Sequence, residues 1–161
     1  MSEPAIIEQN DVRSLVITVG ELRLVLPNTS VAEVISLAPI AVQSDVPPWH
    51  LGRMSWRGQS VPVVALEAID GGTPAPDFGP RTRIVVCHAL AGEQVADRYV
   101  GLRASAMPRL VVVNRENSAA APTGDRPFVL AGMSLYGESA LIPDITALAS
   151  EIARIETPSG D

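Results

Sequence analysis

The sequence predicts a mostly β protein built from two barrel-like lobes, with one amphipathic helix at its C-terminal end. Short apolar runs alternate with a period of two, as expected for strands with one buried face. The 161 residues include 12 Gly and 14 Pro, which favours many turns in a globular chain. The predicted strands cover residues 15–19, 22–26, 31–37, 54–57, 61–66, 83–90, 98–105 and 109–114, and a further pair spans 129–142.

The first two runs predict a hairpin. Gly20-Glu21 separates them, and Gly provides the positive φ that the first position of such a turn requires. A second Gly-Glu dipeptide, Gly137-Glu138, lies within the 129–142 pair and suggests that the two lobes resemble each other. Residues 61–66 are so uniformly apolar that both faces of this strand are expected to be buried.

The end of the chain changes period. From Ile145 to Ile155, apolar residues recur every three or four positions, which predicts a helix with a single apolar stripe. Asp144 is placed to cap its first turn. We expect the stripe to cover an open barrel end or the seam between the lobes.

The domain organisation follows from these elements. Residues 12–156 are expected to form one domain of two interlocked lobes, with flexible tails at 1–11 and 157–161. Residues 70–80 are rich in Gly, Pro and small residues and predict a loop between the two halves. Residues 114–127 predict a mobile surface loop.

Composition excludes several classes of function. The chain has 18 acidic and 12 basic residues, for a net charge of −6, so it lacks the positive charge that drives binding to nucleic acid or to an anionic membrane surface. All the basic residues are Arg, which excludes a Walker-type lysine and Schiff-base chemistry. With one Cys, no charged-then-apolar leader and no apolar run of about 20 residues, we expect a cytoplasmic protein without direct membrane insertion.

No catalytic arrangement emerges from the sequence. His50 and His88 do not show metal-ligand spacing with Cys87, and Cys87, within an apolar strand, is interpreted as a small buried hydrophobe. Glu67 and Asp70 follow a strand, where solvated charge is the expectation. We therefore predict neither an enzyme nor a cofactor or metal site.

Two residues, Glu33 and Arg57, break the local pattern, and two Trp residues are further candidates for function. Glu33 lies inside an apolar strand, so it either faces solvent or meets a cation at a lobe junction. Arg57 could pair with Glu33, reach a partner surface, or extend its charged end into water. Trp49 and Trp56 could belong to the core or anchor an interface.

Two motifs in order resemble the CheW-like family of bacterial chemotaxis coupling proteins. Val31-Ala32-Glu33-Val34 is similar to the family's Val-x-Glu-Val signature. Residues 51–66, LGRMSWRGQSVPVVAL, look like its Gly-x-x-x-x-Arg-Gly-x-x-x-Pro-x-x-x-Leu core. The two signatures lie at the usual separation, and the resemblance extends over about residues 15–152.

The resemblance implies two intertwined five-stranded SH3-like barrels and a non-catalytic adaptor. Family members connect the cytoplasmic tips of methyl-accepting receptors to the regulatory domain of the histidine kinase CheA, at receptor arrays on the inner face of the membrane. By motif, Glu33, Arg57 and Gly58 would lie near the inter-lobe groove that is used in receptor coupling. The neighbouring residues Val34, Trp49 and Leu51 are predicted to form its walls.

The chain also departs from the family pattern. Ala65 stands where many members have Asp, and residues 101–105, GLRAS, lack the Val-Asp dipeptide that many members carry. These departures favour a divergent or accessory member, for example in a chemosensory system that controls type IV pili and twitching motility. The alternative function is a small-molecule-binding β-barrel or an auxiliary, non-catalytic subunit of an oxidoreductase, suggested by the apolar strands and the two Trp residues.

Overall fold

A computed structural model of the chain describes residues 11–69, 73–75, 79–90 and 97–157. Residues 1–10 and 158–161, which make up most of the predicted tails at 1–11 and 157–161, lie outside the described residues, as do parts of the 70–80 loop. Within them the chain forms eleven strands and one α-helix. These are β1 (Val12–Val19), β2 (Leu22–Pro27), β3 (Val31–Ser36), β4 (His50–Trp56), β5 (Gln59–Val64), β6 (Arg83–His88), β7 (Tyr99–Ala104), β8 (Arg109–Val113), β9 (Ser118–Ala121), β10 (Val129–Leu135), β11 (Glu138–Pro143) and α1 (Ile145–Glu156).

The strands form two sheets, and one is inserted into the other along the chain. The first sheet has the order β8-β1-β2-β11-β10-β9, whereas the second has the order β3-β6-β7-β5-β4. The first sheet therefore takes its strands from both ends of the domain, and the second takes them from the middle. This arrangement confirms the predicted fold of two intertwined β lobes followed by a helix.

Three apolar clusters hold this architecture together. The largest lies between the sheets and includes Ile17 and Leu24 from the first sheet, and Val85 and Leu102 from the second. A second cluster fills the interior of the second sheet, and a third fills the interior of the first. Strand β5 is buried on both faces, as predicted: Val61 and Val63 join the second cluster and Val64 joins the central one.

Helix α1 covers the seam between the sheets. Its buried residues Ile145, Leu148, Ala149 and Ile152 all belong to the central cluster. Asp144 caps the first turn, because its side chain accepts a hydrogen bond from the backbone N–H of Ala147 at 3.0 Å. The helix was predicted to cover either an open barrel end or the seam between the lobes, and it covers the seam.

The two hairpins that contain a Gly-Glu dipeptide place it differently, by one residue, relative to the turn. Gly20 has φ +59° and opens the β1–β2 turn, as predicted. In the β10–β11 hairpin, however, Leu135 pairs with Glu138, so the turn residues are Tyr136 and Gly137, both with positive φ. This is the backbone of a type I′ turn, in which Gly takes the second position. The two Gly-Glu dipeptides therefore do not occupy equivalent positions.

The predicted loop at 114–127 contains a strand instead. β9 pairs with β10 in an antiparallel ladder from Gly132–Ala121 to Leu135–Ser118, which gives the first sheet six strands rather than five. Its sequence, Ser-Ala-Ala-Ala, has low β propensity. The backbone ladder with β10 therefore determines this strand, and the local sequence does not.

The second sheet closes between its two edge strands, β3 and β4. The backbone of Ala41, in the segment after β3, exchanges two hydrogen bonds with that of Arg53 on β4, at 2.7 and 3.0 Å. Next to Arg53, Gly52 has φ +133°, and a Cβ placed there would lie 2.3 Å from the carbonyl oxygen of Ala41. Only Gly allows the two backbones to come this close.

We expect Gly52→Ala to destabilise the protein at least twice as much as Gly124→Ala. Gly124 also has positive φ (+69°), but a Cβ added there would have nothing within 4 Å, so it should lose only the conformational term of about 1–2 kcal/mol. Thermal or urea unfolding of both variants measures the difference. Equal losses of stability would contradict the proposed closure through Gly52.

Candidate functional site

The candidate site is a cluster of charged and aromatic side chains on the second sheet, where its edge strands meet. Glu33 on β3 and Trp56 on β4 are the two sides of this junction. The indole Nε1–H of Trp56 donates a hydrogen bond to Oε1 of Glu33 at 2.9 Å. We call Glu33, Trp56 and Arg57 the edge cluster.

Arg57 completes the cluster from a strained turn. Trp56 pairs with Gln59, so Arg57 and Gly58 are the two turn residues, with φ values of +49° and +76°. Positive φ is unfavourable for a residue with a Cβ. In this conformation Nη2 of Arg57 lies 3.1 Å from Oε1 of Glu33, and its guanidinium carbon lies 4.8 Å from the Trp56 ring centroid, a cation–π arrangement.

The edge cluster is buried at its base and exposed at its top. Trp56 is only 6% exposed and packs in the second apolar cluster, with the Tyr99 ring edge-on at 4.8 Å. The side chains of Arg57 and Glu33 are 64% and 39% exposed. The ion pair is therefore screened by solvent and contributes little to stability, about 0–1 kcal/mol. Its charged groups are accessible to a partner.

The other predicted site residues differ in exposure. Gly58 is exposed, with nothing within 4 Å of an added Cβ. Val34 is half-buried against the central cluster, and Leu51 is half-buried against the second one. Trp49 is 6% exposed and lies in the central core, where its ring centroid is 6.2 Å from that of Phe128. Its ring therefore offers almost no surface for direct contact.

The structure contains a second polar network, which the sequence did not indicate. Arg53 on β4 binds two carboxylates: Nη2 donates to Oε1 of Glu156 at 2.5 Å and to Oδ2 of Asp97 at 2.8 Å. The ring of His50, with no exposed side-chain surface, places Nε2 2.6 Å from Oε2 of Glu156. Nδ1 of His50 accepts a hydrogen bond from the N–H of Gly52 at 3.2 Å, so Nε2 is the ring nitrogen that donates to Glu156.

This network attaches the last turn of α1 to the second sheet. Burial by itself lowers the pKa of Arg53, but the hydrogen bonds from Arg53 to Glu156 and Asp97 outweigh burial and raise it above its ordinary value. Burial raises the pKa of Glu156, and the bonds with Arg53 and His50 outweigh it and lower the pKa below 4.5. Glu156 is 103 residues from Arg53 along the chain, so no local pattern reveals the pairing.

The side chains of Cys87 and Glu67 both have little exposed surface. Cys87 is fully buried, and burial raises the pKa of its thiol to about 12, in agreement with the interpretation of a buried hydrophobe. The expectation of a solvated Glu67 is wrong. Its side chain is 9% exposed and lies 3.1 Å from Nη2 of Arg103, because the short helical turn after β5 directs it towards β7. Asp70 lies outside the described residues.

Among the residues that the structure describes, no three His, Cys, Asp or Glu side chains are grouped so that they could hold a metal ion. No helix in the same part of the chain combines the length and the apolar character needed to cross a membrane.

The fold and the edge cluster together define a domain of two β lobes joined by one core, with a partly exposed polar cluster on one of them. A family model described as the CheW-like domain matches residues 13–153. The chain therefore belongs to the CheW-like family of chemotaxis scaffold and adaptor domains. The resemblance stated from the two sequence motifs is confirmed.

Structural similarity agrees with this family. The crystal structure of the scaffolding protein TtCheW from Thermoanaerobacter tengcongensis superposes with a TM-score of 0.67 at 19% sequence identity. The match covers 82% of this chain and 83% of TtCheW. At this identity the likeness concerns the fold alone. A comparison with curated protein sequences gives no match.

The Glu156 network predicts a pH dependence of stability. Because the pKa of Glu156 is lowered in the folded protein, its contribution is fully present above about pH 4.5 and is lost as the pH falls through the folded-state pKa. We expect Glu156→Gln to reduce the free energy of unfolding by about 1–3 kcal/mol at pH 7. The difference from the wild type should shrink below pH 4.5.

Urea unfolding between pH 3.5 and 7 measures this effect. Glu151→Gln, on the same helix, is the matched control. Among the described residues, Glu151 pairs only with the highly exposed Arg154, so its replacement should cost less than about 1 kcal/mol. A Glu156→Gln penalty that is constant with pH would refute the ionic role of Glu156.

Proposed function

We propose that this chain is a non-catalytic adaptor that connects the cytoplasmic tips of methyl-accepting receptors to the regulatory domain of a CheA-type histidine kinase. Membership of the CheW-like family supports the adaptor role. In this proposal the protein works in the cytoplasm, at receptor arrays on the inner face of the membrane. It needs neither a cofactor nor a metal.

The observation that carries the proposal is the exposed top of the edge cluster. Arg57 adopts an unfavourable backbone conformation, and its ion pair, 64% and 39% exposed, gives little stability in return. A strained residue that contributes little to folding suggests selection for function. A partner carboxylate could pair with the free face of the guanidinium, while Glu33 holds the other face.

The remaining site residues have supporting roles in this proposal. Gly58 has no side chain, so a partner backbone can approach the neighbouring Arg57 closely. Val34 and Leu51 connect the edge cluster to the central and second apolar clusters, respectively. Trp49 acts only through packing, because its ring is buried in the central core.

Coupling requires that contacts differ between the active and inactive states of the kinase, because an adaptor with equal affinity for both states shifts neither. Receptor binding to the edge cluster would change the forces on Glu33 in β3, and the next residue, Val34, packs against the central core. Sheet packing then gives a physical route from the site to the other lobe.

Titration calorimetry against the isolated regulatory domain of the CheA-type kinase tests the kinase contact, and titration against a receptor-tip fragment tests the receptor contact. We expect 1:1 binding at micromolar concentration. Arg57→Ala should weaken binding to the partner that uses the edge cluster by at least about tenfold, while the melting temperature changes by less than about 4 °C.

Arg23→Ala is the matched control, because Arg23 forms an exposed ion pair with Glu138 on the first sheet. It should leave binding unchanged. A large fall in melting temperature for Arg57→Ala would make this residue structural and overturn the site. Absence of binding to either partner by the folded wild-type protein would overturn the adaptor function.

For the pathway, we propose a chemosensory system that controls type IV pili. The departures at Ala65 and Arg103 support a divergent adaptor: Ala65 is fully buried, and Arg103 pairs with the buried Glu67. Deletion of the coding sequence should reduce the twitching zone and leave swimming unchanged. A swimming defect with normal twitching would contradict this assignment, and it would leave the adaptor role itself intact.

A further inference from the structure

The interior of the first sheet opens at one end into an apolar slot. This cavity has a volume of about 550 Å³ and is lined by strands from both edges and the middle of the sheet. Eight of the lining residues are apolar: Val12, Val25, Pro27, Val113, Ala119, Ala120, Met133 and Ile142. The slot is continuous with the third apolar cluster, to which Met133 and Val25 belong.

The slot exists because the first sheet is not closed on this side. Its edge strands, β8 and β9, follow one another in sequence, yet no ladder joins them among the described residues. The connection between them is held by its own hydrogen bonds, such as the N–H of Asn114 to Oδ1 of Asn117 at 3.0 Å. The second sheet differs, because Ala41 and Arg53 join its edges.

The polar residues around the slot differ in whether they have partners within the described part of the chain. Ser14 and Ser118, which line it, donate their hydroxyl hydrogens to the carbonyls of Val12 and Asn114. Arg115, at the mouth, is the one charged residue among the described lining residues, and no ion pair of its guanidinium is found within the described part of the chain. The opposite end of the same sheet has a cavity of about 250 Å³ whose lining includes Arg23, Arg109 and Glu138, and there Arg23 forms an ion pair with Glu138.

We propose that this slot binds an anionic amphiphile, with its alkyl chain inside the sheet and its carboxylate on Arg115. The volume is typical of small-molecule sites, and apolar walls with a single polar anchor are their usual pattern. The charge at the rim selects an acid over an alcohol or an amine. This site lies on the other sheet from the edge cluster, so the proposal is independent of the adaptor function.

Equilibrium dialysis of the full chain with octanoate, decanoate and dodecanoate, each below its micelle concentration, tests the proposal. We expect one site per chain and an affinity that rises about fourfold with each added CH2 group. Decanol and decyltrimethylammonium, which have the same chain without the negative charge, should bind at least about threefold more weakly than decanoate.

Two variants locate the site. Arg115→Ala should weaken decanoate binding by about threefold to tenfold, whereas Arg109→Ala, an exposed Arg at the other end of β8, should not. Ala120 pairs with Met133 across the strands, so their side chains share the inner face, and Ala120→Phe should fill the slot and abolish binding. Ala120→Leu replaces it if the Phe variant does not fold.

Methyl NMR of the wild type adds an independent readout: decanoate should shift the Met133 methyl signal and leave that of Met54, in the second cluster, unchanged. The proposal is overturned if no fatty acid binds, if affinity does not depend on chain length, if Ala120→Phe binds like the wild type, or if Met54 responds instead. Equal effects of Arg115→Ala and Arg109→Ala would reject Arg115 as the anchor.

Discussion

The apolar layer between the two sheets is the constraint on which the rest of the structure depends. Neither sheet is independent of it: β5 has residues in both the central and the second cluster, and α1 places its whole apolar stripe in the central one. Burial of this layer is the main stabilising term. It fixes the sheets relative to each other.

The two sheets differ in whether their edge strands are joined. Unpaired edge strands tend to associate with other chains. The second sheet joins its edges through backbone hydrogen bonds at Ala41 and Arg53, and the Trp56–Glu33 bond adds a side-chain closure. The first sheet leaves a gap between β8 and β9. The exposed edge cluster and the apolar slot are therefore consequences of one difference in closure.

The sequence was sufficient for features that depend on local pattern. Alternation predicted most strands, the change of period at Ile145 predicted α1, and the motif around Glu33 and Arg57 indicated both the family and the pair. The sequence was insufficient for features that are determined by contacts between residues far apart in the chain. β9 is a strand only because β10 pairs with it, Trp56 is identified as the centre of the edge cluster only by its bond to Glu33, and the buried Glu67 depends on Arg103, 36 residues away.

The insertion of the second sheet into the first has a consequence for biosynthesis. Strands β1 and β2 emerge first from the ribosome, but β2 must wait for β11, with Leu24 opposite Leu141, before the first sheet can be completed. The second sheet, by contrast, consists of one continuous stretch from β3 to β7. Long-range pairing is slow, so strand pairing within the middle of the chain can begin during translation while the β1–β2 hairpin still lacks β8 and β11. This hairpin is consequently the segment most open to chaperones and to misassociation.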